Sequence, residues 1–384
     1  MKKRSEKEKK NKKRWIKGVS SILLVTLLVG CLSQPEEYAP AGSPEIPEFP
    51  EIPDRGYYMG FLPMPIEGQS LEEAYGEAAA YCEFIPVWGR PTPFYELADE
   101  LSGSWGKTFV DTYIKGNGMI PLIHLSFMDV GVTLKKPPGM EDATLSDPEW
   151  RESYKKAALD VVKVSKPHFL SLGNEVNRWY EKYGLNEDPN GFQHYVTLYE
   201  DIYDAVKEIS PETTVFCTFS REIVSENREA NLDVLQLFNL QKMDILVFTS
   251  YPYALPKIMN PSDMPDDYYV RALEYMPGKP VGFSEVAWSS LDAFGGEQGQ
   301  ADFLLQMCGR LTINQGVDLY FLGWPWLVDL SEDISAGLIK RDGTEKLAYT
   351  VWKDLFTGEI PTYLQFLPDK EYLLQCNFLQ VFPD

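Results

Sequence analysis

Eight short apolar runs recur along the chain, at residues 57–63, 81–88, 119–127, 169–174, 213–219, 245–251, 281–285 and 319–324. They are rich in Val, Ile, Leu, Phe and Tyr and lack a clean polar face, as expected of parallel strands covered by helices. Longer amphipathic stretches lie between them. Residues 70–81 open with Ser70 as a cap and Glu72 and Glu73 in the first turn. Asp147-Pro148 opens another, with Trp150, Tyr154, Ala157, Ala158, Val161 and Val162 spaced along one face. Residues 191–209, 262–275, 296–315 and 344–357 read the same way. This alternation predicts an α/β fold, a (β/α)8 TIM barrel over residues 56–357, with a short C-terminal extension at 358–384. A doubly wound open sheet would want a Gly-rich loop after its first strand, and none is present.

The first thirty of the 384 residues do not read as fold. Residues 1–18 hold ten Lys or Arg against two Glu, and an apolar run over 19–29 follows. The run is short for a membrane span and fits a signal-peptide core. It ends at Leu28-Val29-Gly30-Cys31, which resembles a lipoprotein processing site and makes Cys31 the expected lipidated residue. Residues 31–55 are expected to form a Pro-rich acidic tether, with Pro35, Pro40, Pro44, Pro47, Pro50 and Pro53 among Glu, Ser and Ala. The reading is of a cell-surface protein, lipid-anchored to the outer face of the cytoplasmic membrane. The leader carries a charge of +8, so the rest of the chain carries −29 of the net −21. That acidity argues against nucleic acid and anionic membrane surfaces as partners.

Cys82, Cys217, Cys308 and Cys376 show no CxxC spacing. Cys82 and Cys217 fall in expected strands and Cys308 in an expected helix, which favours buried thiols; spacing assigns no disulfide. With only His124, His168 and His194 available, neither a histidine metal site nor any cofactor is expected.

The ends of the expected strands carry the chemistry. The fourth ends Gly173-Asn174-Glu175, the sixth Ser250-Tyr251-Pro252, the seventh Ser284-Glu285 and the eighth Gly323-Trp324-Pro325-Trp326. The third ends with His124, Ser126 and Asp129. A carboxylate at the end of a buried strand is costly unless paired or working. Two of them, on different strands at the face where such barrels keep their sites, suit glycoside cleavage, which needs one protonated and one ionised carboxyl.

On these motifs the chain resembles the clan A glycoside hydrolases, retaining β-glycosidases on TIM barrels. The resemblance implies that Asn174-Glu175 supplies the general acid/base and Glu285 the nucleophile. Tyr251 would orient Glu285, and Trp324 would floor the sugar site. Within the clan, His124 with Ser126 and Asp129, Gly173-Asn174-Glu175, Ser250-Tyr251-Pro252 and the long third loop ending Asp147-Pro148-Glu149-Trp150 look most like the endo-β-1,4-galactanase family. Two features depart from that family: no aromatic follows His124, and calcium-site residues are not recognisable.

The chemistry then sets expectations for each group. Burial and the nearby Glu285 should raise the pKa of Glu175, while Tyr251 and Arg90 hold Glu285 ionised. Asn174 would bond the sugar 2-hydroxyl, and Trp88 and Trp288 would offer further faces to pyranose rings. Taken singly, each residue has a plainer reading: an Asn-Glu dipeptide is common, His124 could be a core histidine, and Trp88, Trp288 and Trp326 could be core. Their convergence from several strands favours the catalytic reading. The expected partner is a β-linked poly- or oligosaccharide outside the cell. Two rivals share the anchor: a glycan-binding lipoprotein on a lapsed barrel, and a solute-binding lipoprotein, which would need two lobes and a hinge.

Overall fold

A computed structural model describes residues 51–88, 93–308, 311 and 317–358. The leader, most of the tether, Arg90, Cys31 and the C-terminal extension lie outside the described residues. Eight parallel strands form the centre: β1 (Tyr58–Phe61), β2 (Phe84–Val87), β3 (Ile120–His124), β4 (Phe169–Ser171), β5 in two pieces (Thr214–Phe216 and Thr218–Ser220), β6 (Leu246–Ser250), β7 (Val281–Val286) and β8 (Leu319–Trp324). The first piece of β5 pairs with β4 and the second with β6, so the ring closes through Cys217. The expected barrel is present.

Strand parity divides the side chains into two cores. Tyr58, Phe84, Ile120, Leu122, Phe169, Phe216, Val247 and Phe321 point inward and fill the barrel. Phe84 stands 5.3 Å from Phe321, centroid to centroid. Glycines make the room. A Cβ on Gly60 would lie 2.6 Å from the Phe84 ring, and one on Gly282 would lie 2.6 Å from the Phe321 ring. Alternate residues face the helices in a larger outer core.

Strand β7 breaks that parity once. Phe283 pairs with Phe248, but the next partner of Thr249 is Glu285, so Ser284 is an extra residue in a β-bulge. Without it Glu285 would share the outward face of Val281 and Phe283. The bulge turns it inward beside Thr249.

The helical layer agrees in part with expectation. Helix α1 (Leu71–Ala78) has Ser70 and Glu73 in a capping box. Helix α2 (Leu97–Ser102) follows β2. Helix α3 (Pro148–Ser165) is capped by Asp147. Helices α4 (Asn177–Tyr183), α5 (Phe192–Ile209), α6 (Gly296–Cys308) and α7 (Leu347–Thr357) complete the α-helices that matter here. The helix expected over 262–275 is absent. Only 3-10 turns occur, at Pro261–Asp263 and Val270–Glu274. Pro265 lacks the amide an α-helix would use, and Tyr268 and Tyr269 turn inward instead. After β5 the chain makes a two-stranded hairpin, Glu222–Ile223 against Arg228–Glu229, and then further 3-10 turns. Among the described residues the β–α alternation is therefore interrupted after β5 and after β6, where 3-10 turns stand in place of an α-helix. Cys82 and Cys217 are buried free thiols. Among the described residues no helix is long and apolar enough to cross a membrane.

Candidate active site

The inward positions just above the aromatic layer are Trp88, His124, Ser171, Thr218, Thr249 and Gly323, so the barrel turns polar at its C-terminal mouth. Glu175 enters this mouth four residues beyond β4. The chain bends tightly there: a Cβ on Gly173 would lie 2.6 Å from both Tyr195 Oη and Val176 Cγ1. Glu175 itself has φ of 51°, the left-handed region that favours glycine. Such a residue costs about 1–3 kcal/mol and persists only where its surroundings over-determine it. They do so here. The Glu175 amide donates to Thr218 Oγ1 at 2.8 Å, and that hydroxyl donates to Asn174 Oδ1 at 2.6 Å. The next amide, of Val176, donates to Thr218 O at 2.9 Å.

Glu175 is 7 % exposed, and both of its carboxylate oxygens accept. Thr249 Oγ1 donates to Oε1 at 2.8 Å. Arg178 Nη1 donates to Oε2 at 2.8 Å, while its Nη2 is tied to Val130 O.

Glu285 faces it from β7. Tyr251 donates its phenol proton to Glu285 Oε2 at 2.5 Å. Burial pushes the Glu285 carboxyl up to about 7, the negative charge of Glu175 adds to that rise, and the Tyr251 bond opposes it. The rise at Glu285 departs from the expectation that Tyr251 and Arg90 hold it ionised. The bulge carries Glu285 into a half-buried position with one donor among the described residues, whereas Glu175 is met by a guanidinium and a hydroxyl. Burial, followed by the charge of Glu285, pushes the Tyr251 phenol far above its ordinary value, so it stays a donor.

His124 lies flat against Trp88, with centroids 3.7 Å apart and planes 2° from parallel. It is buried, and neither ring nitrogen has a partner among the described residues. Burial lowers its pKa to about 3, so the ring is neutral and leaves one N–H and one lone pair unspent. Trp88 keeps part of its surface open.

Trp324 and Trp288 do not reach the mouth. Trp324 pairs with Phe61 at an outward position and is fully buried. It packs against Trp352 and Phe303, and its indole donates to Ala336 O at 2.6 Å. Gly323 takes the inward place beside it. Trp288 stacks on Phe303 at 5.1 Å and donates to Phe294 O. Both belong to the outer core, so neither floors a sugar site in this arrangement.

Four polar residues at or behind the mouth carry no role in the sequence motifs: Arg178, Thr218, Thr249 and Glu222. Period-two spacing puts Thr249 on the face of Tyr251, which is a usable signal. Arg178 is three residues after Glu175, one helical turn. Thr218 and Glu222 have no local signature, because their partners are remote in sequence. Among the described residues no cluster of three or more His, Cys, Asp or Glu is set to hold a metal ion.

The chain matches no described protein family and none of the curated proteins. It is similar in structure to solved glycoside hydrolases. The endo-1,4-beta-xylanase of Penicillium canescens superposes with a TM-score of 0.55 at 14% identity, over 80% of this chain and 96% of the xylanase. Xylanase 10B of Thermotoga maritima gives 0.53 at 12%, over 79% and 96%. The beta-glucuronidase of Bifidobacterium dentium gives 0.51 at 11%, over 79% of this chain; the match spans 47%, about half, of that larger protein. At such identities the likeness shows the shared fold, a (β/α)8 TIM barrel.

Proposed function

We propose that the protein is a retaining glycoside hydrolase acting on β-linked poly- or oligosaccharides. The observation that carries this reading is the pairing of Tyr251 with Glu285 opposite the buried Glu175, three groups from β4, β6 and β7 at one mouth. Glu285 is the nucleophile: its carboxylate attacks the anomeric carbon as the glycosidic bond breaks, giving a glycosyl-enzyme. Glu175 protonates the leaving oxygen and then takes a proton from the water that releases the sugar. Arg178 must yield its hold on Oε2 for that exchange. Asn174, held by Thr218, is assigned to the sugar 2-hydroxyl. The neutral ring of His124 and the open part of Trp88 line the same cleft. Arg90, just past β2, is assigned as a further contact.

The finer reading is an endo-acting enzyme like the β-1,4-galactanases, on the His124, Asn174-Glu175 and Tyr251-Pro252 motifs. The Leu-Val-Gly-Cys31 sequence and the Pro-rich stretch after it support export, with a lipid on Cys31 and a tether to the outer face of the membrane.

One observation favours a second reading, a glycan-binding barrel whose catalysis has lapsed. The carboxylate meant to donate a proton is ion-paired with Arg178. Screening the protein against a polysaccharide panel and aryl β-glycosides, with product anomers followed by NMR, separates the two. Hydrolysis with retention supports the enzyme. Binding without hydrolysis across the panel overturns it.

A further inference from the structure

Behind Tyr251 lies a second buried carboxylate. Glu222 is 1 % exposed and Arg221 fully buried, both just past β5 at the start of the hairpin that replaces a helix there. Enclosing a charge is expensive unless its bonds are made. Glu222 makes three. Its Oε2 accepts the Tyr251 backbone N–H at 2.6 Å, and its Oε1 accepts Ser250 Oγ at 2.9 Å and Tyr268 Oη at 2.5 Å. Ser250 is braced in turn by the Tyr269 hydroxyl at 3.0 Å. Arg221 Nη2 donates to Tyr268 O at 2.7 Å, and its guanidinium lies 4.3 Å from the Tyr268 ring. The groups facing Glu222 are thus Arg221 from its own segment, Tyr251 and Tyr253 from the turn after β6, and Tyr268 from the following loop.

The position of these bonds matters more than their number. At Tyr251 the chain leaves the β6 ladder, with φ −136° and ψ 68°, and Pro252 follows. The Tyr251 amide has lost its strand partner there and takes a charged acceptor instead, a strong and directional bond. One residue is therefore held at both ends by carboxylates: its amide by Glu222 and its phenol by Glu285.

We propose that Glu222 is a positioning residue: its grip on the end of β6 sets the Tyr251 phenol on Glu285 and so aims that carboxylate. The functional meaning rests on the glycosidase reading above; the linkage itself does not. The test is a titration of Glu285 by carboxyl 13C NMR on the full chain, in wild type, Glu222→Gln, Tyr251→Phe and the double variant. Loosening the phenol removes a bond that favours the ionised form, so Glu222→Gln should raise the Glu285 midpoint by about one pH unit. Tyr251→Phe should do the same, and the double variant should add nothing further. An unchanged midpoint in Glu222→Gln, or full additivity, overturns the proposal. If Glu222→Gln does not fold, Tyr268→Phe removes a single donor and should give a smaller shift in the same direction; no shift would overturn it. On a hydrolysed substrate, Glu222→Gln should lower kcat by about 10²-fold with KM little changed. A wild type that hydrolyses nothing defeats the glycosidase reading alone, because the titration still decides whether Glu222 positions Tyr251.

Discussion

Tyr251 reaches Glu285 because β7 carries one residue more than its neighbour β6 between Phe283 and Glu285. A regular strand would have left the carboxyl among the helices, against apolar side chains. The bulge instead delivers it to a phenol that itself stands at the end of a strand. The position of Glu285 and its pairing with Tyr251 thus depend on two departures from regular β structure.

The pH dependence of the proposed hydrolysis follows from this placement. Burial pushes the Glu285 carboxyl up to about 7, and the proposed attack requires its ionised form. Hydrolysis should therefore fall as pH drops through about 7, an acidic limb higher than an ordinary glutamate would give. Tyr251→Phe removes the bond that favours ionisation, so the limb should move further up. A limb near 4.5 in wild-type kcat/KM profiles would contradict the assignment.

Glu285→Gln and Glu175→Gln should fail in different ways. The first abolishes glycosyl-enzyme formation on every substrate. The second should still accept a dinitrophenyl glycoside, whose leaving group departs unprotonated, and azide should speed its turnover. Rate measurements with and without azide check this; equal inactivity of both variants on activated substrates counts against the division of roles.

Trp88 and Trp324, both expected against the sugar, should behave differently. Trp324→Ala opens the outer core and should destabilise the protein by about 3–5 kcal/mol in denaturant titrations. Trp88→Ala, at the half-open position beside His124, should mainly raise KM. A stable Trp324→Ala protein with weakened substrate binding would reverse this reading.

The loop after β8 is pinned by Lys346, whose ammonium donates to Asp329 Oδ1 at 2.7 Å, Ser290 Oγ at 2.8 Å and Gly337 O at 2.9 Å. Lys346→Met leaves Asp329, its side chain 9 % exposed, without its cation and should cost about 3–5 kcal/mol. Paired Lys346→Met and Asp329→Leu substitutions should recover much of that loss, which chemical denaturation would show.

Cys31→Ser should release the protein from the membrane fraction without altering the barrel. Fractionation and circular dichroism test this, and a leader-cleaved variant that stays membrane-bound would rule out the lipid anchor.

The strands were legible because a fully covered strand is apolar on both faces, and eight such runs survive any uncertainty about their ends. Glu175, Glu285 and Tyr251 were legible for a related reason: a polar residue closing an apolar run is conspicuous. Trp324 was misread because the strand ends told which residues lie near the mouth but not which way each faces. Parity, fixed by pairing with Phe61, answers that only in three dimensions. The missing helix over 262–275 was misread because its residues have helical spacing, while Tyr268 turns inward to the buried acid of the preceding hairpin and Tyr269 to the Ser250 hydroxyl. Nothing local to Arg221-Glu222 announces that acid, since its partners lie some thirty to fifty residues downstream.

The left-handed backbone at Glu175 sets stability against function at a single codon. Glycine or asparagine would sit there with less strain, and neither can supply the acid. Selection for stability alone would drift this position away from glutamate, while the proposed turnover would hold it in place. A search for thermostable variants that ignores activity should therefore recover changes at position 175 early, and a descendant freed from its substrate would be expected to lose this carboxylate before it lost the barrel.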